Sequence, residues 1–214
     1  MKKSSITIAF LFALLLTYRI GFAQPSIVAA QPDAVVTDIV TIVTSKGTIV
    51  VGLYGIDAPK TVANFVGLAE KGFYNGILFH RVAEGFVIQA GDPATKDSTL
   101  RAKWGRGGTS IYGGKFEDEL NKDTPSYQKG YAQGVLAMAN SGPNTNGSQF
   151  FLTMNILTQL DGQYTIFGEL KTREDLSILK LIRQDDKIIS IQIKGRKVDE
   201  FLGNFTDIIN SWNR

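Results

Sequence analysis

The chain has 214 residues, of which 43% are hydrophobic and 20% charged. That is the balance of a soluble globular protein with one domain of sizeable core, with or without appendages. Its net charge of +3 comes from the N-terminus, where Lys2, Lys3 and Arg19 stand without an acid; beyond them basic and acidic residues balance, which gives no support to a nucleic-acid or polybasic membrane partner. There is no cysteine, so disulfides, a thiol nucleophile, a cysteine metal site and a lipidated cysteine are excluded.

In chain order, Lys2 and Lys3 precede an apolar run over 6–16, and Gly21-Phe22-Ala23 supplies small residues at the spacing of a secretory cleavage site. Residues 1–23 read as a signal peptide, with an alternative cut after Ala30. The run is short for a membrane span and Arg19 interrupts its extension. The expectation is a periplasmic or secreted protein with no stable membrane insertion after signal removal. Residues 24–36 read as a linker. The Ile, Val and Thr content of 38–54, broken by Ser45-Lys46-Gly47, predicts a hairpin. Asp57-Ala58-Pro59 opens a helix with Pro59 near its first position; Val62, Phe65, Val66 and Ala69 share one face, and Gly72 is a plausible stop.

Two short strands are expected over 79–82 and 86–90. Residues 93–104 read as a surface loop, 105–114 as a glycine-rich loop and 115–129 as polar and irregular. Strand signals return over 134–139, 149–153 and 165–170. A second helix is expected over 175–183 and a final strand over 187–194. Phe201, Leu202, Phe205, Ile208, Ile209 and Trp212 then fall on one face of an amphipathic helix over 196–214. Many short strands with separated helices argue for a mainly β core rather than alternating βαβ units.

Two dense stretches carry the chemistry. The first is Phe79-His80-Arg81-Val82-Ala83-Glu84-Gly85-Phe86-Val87-Ile88-Gln89-Ala90-Gly91-Asp92. Strand alternation about its Glu-Gly turn lets Arg81, Phe86 and Gln89 present a guanidinium, a ring and a carboxamide to one region. The second is Met138-Ala139-Asn140-Ser141-Gly142-Pro143-Asn144-Thr145-Asn146-Gly147-Ser148-Gln149-Phe150-Phe151. Together, and with Asp161-Gly162 and Phe167-Gly168 downstream, they resemble the cyclophilin family of peptidyl-prolyl cis-trans isomerases, in its bacterial exported type. The resemblance covers residues 37–195. It implies a closed eight-stranded antiparallel barrel capped by two helices, to which the C-terminal helix is an addition. The interior of such a barrel is filled by side chains, so the site must lie on its outside.

The resemblance assigns catalysis to Arg81, with Gln89 and His80 beside it. It assigns substrate binding to Phe86, Val87, Phe151 and Leu160 as a proline pocket, with Ala139, Asn140, Ser141, Gln149, Tyr164 and Gly105 along the same groove. Val87 stands where the family commonly has methionine. Gln159 stands where cyclosporin-sensitive members have tryptophan, and Tyr164 replaces a histidine common in eukaryotic members, so weak cyclosporin binding is expected. Rotation about an Xaa–Pro bond breaks no bond and needs no cofactor. Taken alone, Arg81 would read as a surface arginine and the apolar residues as core.

His80 is the only histidine, which leaves a histidine-cluster metal site without ligands, and no serine lies in Gly-x-Ser-x-Gly. The glycines of 105–114 fail the phosphate-loop pattern, because Thr109 occupies its first glycine position and Phe116 follows Lys115. Asn146-Gly147-Ser148 and Asn204-Phe205-Thr206 are formal glycosylation sequons of a kind frequent by chance. The expected function is isomerisation of prolyl bonds in unfolded or flexible client polypeptides, assisting exported proteins to fold. The different-class alternative is a prolyl-peptide or partner-binding module with little turnover.

Overall fold

The computed structural model of the chain describes residues 33–194. The expected signal segment, most of the linker and the C-terminal helix over 196–214 lie outside the described residues. The hairpin forms where β-branched residues are densest: β1 (Asp38–Thr44) and β2 (Gly47–Leu53) pair antiparallel from Asp38 opposite Leu53 to Thr44 opposite Gly47. The other strands are β3 (Arg81–Val82), β4 (Val87–Ala90), β5 (Val135–Met138), β6 (Phe150–Thr153), β7 (Ile166–Leu170) and β8 (Ile188–Lys194). They form one sheet in the order β3-β4-β6-β5-β7-β2-β1-β8, with every neighbouring pair antiparallel.

The sheet curls, and its two ends are joined by a single bridge between Leu78 and Lys187 rather than by a ladder. Phe79 N–H donates to the Asp186 carbonyl and Ile188 N–H to the Ile77 carbonyl, each at 2.8 Å. The strand expected over 79–82 is therefore shorter, because the backbone of Phe79 is spent on this seam. What the structure shows is a mainly β protein with eight antiparallel strands in one curled sheet.

Alternation along each strand separates two apolar clusters. Ile88 and Ala90 of β4, Leu136 and Met138 of β5, and Phe150 and Leu152 of β6 face an inner core that also takes Val40, Ile42, Ile49 and Val51. Val87, Val135, Ala137 and Phe151, from the same strands, face outward into a second cluster with Tyr131, Leu157, Leu160 and Ile166. An outward face that is itself apolar and covered by loops is what positions the site.

Helix α1 (Pro59–Glu70) starts at Pro59 as the sequence predicts and ends two residues before Gly72. It was expected to bury one face; instead every residue from Pro59 to Ala69 is buried. The polar residues are held by the chain that crosses over them. Asn64 Nδ2 donates to the Gly147 carbonyl and its Oδ1 accepts from Ile111 N–H. The Lys60 ammonium pairs with Glu117. The first turn has no local side-chain cap. Its Lys60 and Thr61 N–H groups are accepted by the two oxygens of Glu119, at 3.0 and 2.8 Å.

Three expectations are corrected. Residues 93–104 are not an irregular loop but two 3-10 helices, Pro93–Lys96 and Ser98–Lys103, capped by the side chains of Asp92 and Asp97. The irregular stretch 115–129 contains the short helix α2 (Pro125–Lys129), which makes three α-helices, not two, among the described residues. The helix expected over 175–183 is α3 (Arg173–Leu179), because Thr172 and Asp175 form a capping box that starts it earlier.

Candidate active site

Strand register assembles the site. Arg81 of β3 is directly opposite Gln89 of β4, Gln89 is opposite Phe151 of β6, and Phe151 is opposite Ala137 of β5. Directly opposed residues point to the same side of a sheet. A guanidinium, a carboxamide and a phenyl ring thus form one lateral row on the outer face. The turn at Glu84-Gly85, where Gly85 takes φ +68°, folds Phe86 back beside this row. The Arg81 guanidinium carbon lies 5.5 Å from the Phe86 ring centroid, within range of a cation–π contact.

A cavity of about 90 Å³ opens at this row, walled by Phe86, Val87, Phe151, Leu160 and Tyr164 together with Ala139, Asn140, Arg81 and Gln89. Phe151 meets the Tyr164 ring edge to face at 5.4 Å, and Tyr131 stacks behind Phe151 at 6.4 Å. The Tyr131 hydroxyl donates to the Tyr164 carbonyl and accepts from the Tyr164 N–H. The pocket wall is therefore stiffened from behind.

The polar side is a hydrogen-bonded chain. Arg81 Nη1 donates to Gln89 Oε1 at 3.4 Å, Gln89 Nε2 to Gln149 Oε1 at 2.9 Å, and Gln149 Nε2 to the Gly107 carbonyl at 2.7 Å. Gln149 and Gln89 also line a neighbouring cavity of about 30 Å³ together with Gly105, Ser141, Ala139 and Asn140. His80 lines neither cavity. Its imidazole lies beside Gly105, and both ring nitrogens are buried without a hydrogen-bond partner among the described residues. Burial holds its pKa below the ordinary imidazole value, with the Asp92 carboxylate acting in the opposite direction.

Asn140 follows the end of β5 and makes no main-chain hydrogen bond to another described residue outside the strands. Its side chain is tethered, because Asn140 Nδ2 donates to Asp118 Oδ1 at 3.3 Å. Asp118 also accepts from Asn144 N–H at 2.7 Å and Asn146 Nδ2 at 2.8 Å. Asn146 is fully buried, so the sequon it begins presents no side chain for glycan attachment in this fold. The sequon at Asn204 lies outside the described residues.

Sequence reasoning missed Arg106, Gly107, Lys115 and Gly147, which complete the smaller cavity, and the supports Asp92, fully buried, and Asp118, partly buried. Arg106 and Gly107 sit in the stretch read as a glycine-rich loop, Lys115 opens the stretch read as polar and irregular, and Gly147 lies inside the second dense motif. Asp92 carried one usable signal, its place closing the first dense motif directly after Gly91.

Comparison with known proteins agrees with this geometry. Residues 39–200 match the family described as "Cyclophilin type peptidyl-prolyl cis-trans isomerase/CLD". The chain is 44% identical over 165 residues to a "Peptidyl-prolyl cis-trans isomerase-like 1" of Emericella nidulans, covering 75% of this chain and 94% of that relative. It is 50% identical over 145 residues to "Peptidyl-prolyl cis-trans isomerase ppi1" of Schizosaccharomyces pombe, covering 66% of this chain and 84% of the relative. A crystal structure of a Cryptosporidium parvum cyclophilin type isomerase superposes with TM-score 0.63 at 36% identity, over 74% of this chain and 98% of that one. The same protein in the presence of the dipeptide Ala-Pro superposes with TM-score 0.62. The protein is thus an enzyme of the cyclophilin-type peptidyl-prolyl cis-trans isomerase family.

Proposed function

We propose that this chain accelerates Xaa–Pro rotation in extended or unfolded client segments, with the proline ring in the Phe151 cavity and Arg81 as the catalytic donor. The observation that carries the reading is the lateral row: a permanently charged guanidinium held beside an apolar cavity by its opposite residue Gln89. The uncatalysed barrier, about 18–20 kcal/mol, comes from amide resonance. Twisting the bond localises the lone pair on the prolyl nitrogen. A charge-assisted N–H donor there is worth most in the twisted state, which is the condition for catalysis. A hydrogen bond to a charged group contributes about 1.5–3 kcal/mol, which is roughly ten- to hundredfold in rate.

The rest of the site holds the substrate while one side turns. The stiffened wall of Phe151, Tyr164 and Tyr131 keeps the ring fixed. Asn140, with main-chain groups unspent beyond β5, is placed to pair with an extended peptide as an added strand. Gln89 and Gln149 offer carboxamides beside the turning carbonyl. His80 lies against Gly105 beside this polar chain. The Ala-Pro dipeptide present with the Cryptosporidium relative has the substrate chemistry this cavity suits. The same reading takes the bridged seam at Leu78 and Lys187 as the closure of an eight-stranded barrel.

The clients follow from the N-terminus. Lys2, Lys3 and the apolar run before Ala23 direct the chain to export, so the proteins it meets are exported chains still folding, for which uncatalysed prolyl exchange takes tens to hundreds of seconds. Export rests on the N-terminal sequence alone. Among the described residues no helix is long and apolar enough to cross a membrane. A proline-peptide isomerisation assay on the purified chain, with fractionation and N-terminal sequencing of the expressed protein, tests both parts. Turnover and a mature N-terminus at residue 24 or 31 are expected. Peptide binding without turnover would convert the reading to a binding module, and an intact Met1 would remove export.

A further inference from the structure

We infer that Asp92 is a positioning residue for the catalytic guanidinium, acting through the Gly105–Gly107 backbone and the two site glutamines; the inference rests on the assignment of Arg81 above. Asp92 is fully buried, and no cation pairs with it among the described residues. A buried carboxylate without a counter-ion is costly unless several donors solvate it. Here three backbone N–H groups do so. Oδ1 accepts from Ala94 at 2.9 Å, and Oδ2 accepts from Gly105 at 2.6 Å and Gly107 at 3.1 Å.

The two bonds to Oδ2 fix the plane of the Gly105–Gly107 segment. That plane sets where the Gly107 carbonyl points. The Gly107 carbonyl takes Gln149 Nε2, which leaves Gln149 Oε1 as the only group to face Gln89 Nε2. Gln89 is then left with its oxygen toward Arg81. The carboxylate therefore dictates the orientation of both amides, and each amide flip would present a donor where the next group needs an acceptor. Gly107 has no side chain at the one place where a Cβ would sit 2.4 Å from Asp92 Oδ1. The loop is thus seated against the carboxylate at a distance that only glycine permits.

The experiment measures kcat and KM with a proline peptide for the full chain, Asp92→Asn, Gln149→Ala and the double variant, and follows the side-chain amide resonances of Gln89 and Gln149 by NMR. Asp92→Asn leaves one acceptor oxygen for the three N–H groups and sets a donor against at least one of them. It is expected to lower kcat about tenfold with KM little changed, to shift both glutamine amide resonances, and to cost nothing further in the Gln149→Ala background. Losses that multiply in the double variant would assign Asp92 to the fold alone and overturn the inference. Gly107→Ala moves the same segment while keeping the carboxylate, and should reproduce the kcat loss; if Asp92→Asn does not fold, this variant decides, and an unchanged kcat overturns the inference. Loss of turnover in Arg81→Ala with normal turnover in Asp92→Asn would sink this inference and leave the function standing, whereas full turnover in Arg81→Ala would sink the function itself.

Discussion

Arg81 and Gln89 are cross-strand partners on β3 and β4, and the guanidinium donates to the carboxamide oxygen at 3.4 Å. The bond is long, so Gln89 guides Arg81 without immobilising it. The guanidinium keeps its other donors for a prolyl nitrogen. Gln89→Leu keeps the approximate shape and removes both amide bonds. It should lower kcat/KM by about tenfold, within the range of one aligned hydrogen bond. Steady-state kinetics check it, and a loss equal to that of removing Arg81 itself would show that Gln89 acts directly.

The start of α1 depends on a residue far away in sequence. Glu119 accepts from the Lys60 and Thr61 N–H groups, replacing the local cap that Ala58 cannot supply. Glu119→Ala should destabilise the fold by about 1–2 kcal/mol, the cost of losing a helix cap. Urea denaturation measures it, with an unchanged m-value if the native state is otherwise intact.

His80 gives the fold a pH dependence that the chemistry lacks. Burial keeps its folded pKa below the ordinary value, while the unfolded imidazole titrates near about 6.5. The unfolded chain therefore binds the proton more readily. The stabilisation from neutral His80 is full above the unfolded pKa and is lost as pH falls through the folded one. Denaturation midpoints should fall over that window in the natural chain and fall less in His80→Gln. Turnover should not titrate there, because the Arg81 guanidinium stays charged.

Cyclosporin sensitivity separates drug contact from catalysis. Gln159 lies exposed in the 3-10 turn Thr158–Leu160, and its carbonyl accepts from Gln163 Nε2 at 2.7 Å. It does not line the proline cavity, although Leu160 beside it does. The family resemblance places tryptophan here in sensitive members, where an indole supplies a flat apolar contact and one donor. The chain should be inhibited only weakly, and Gln159→Trp should increase inhibition more than it changes turnover. Equal inhibition of both proteins in one peptide assay would remove this position from the drug interface.

Local signals were readable where one residue type decides the backbone. Pro59 started α1, and the Ser45-Lys46-Gly47 turn set the first hairpin. Turn and alternation also placed Arg81, Phe86 and Gln89 in one region, and the structure puts all three around one cavity. What could not be read depends on long-range partners. Nothing near Pro59 announces Glu119, and nothing near Phe79 announces that its N–H will go to Asp186. The 3-10 helices over 93–103 lack apolar periodicity because their starts are fixed by Asp92 and Asp97 side chains rather than by a buried face. His80 adjoins Arg81 in sequence, yet it lines neither cavity.

The central claim is that the Arg81 guanidinium stabilises the twisted prolyl amide. Its most direct test is kcat/KM for proline-peptide isomerisation by the natural chain, Arg81→Ala and Arg81→Lys, each shown to be folded by its thermal transition. The account predicts a loss of about a hundredfold or more for alanine, little rescue by lysine, which lacks the planar donor array, and unchanged thermal stability because Arg81 is exposed. Full turnover in a folded Arg81→Ala protein would contradict it.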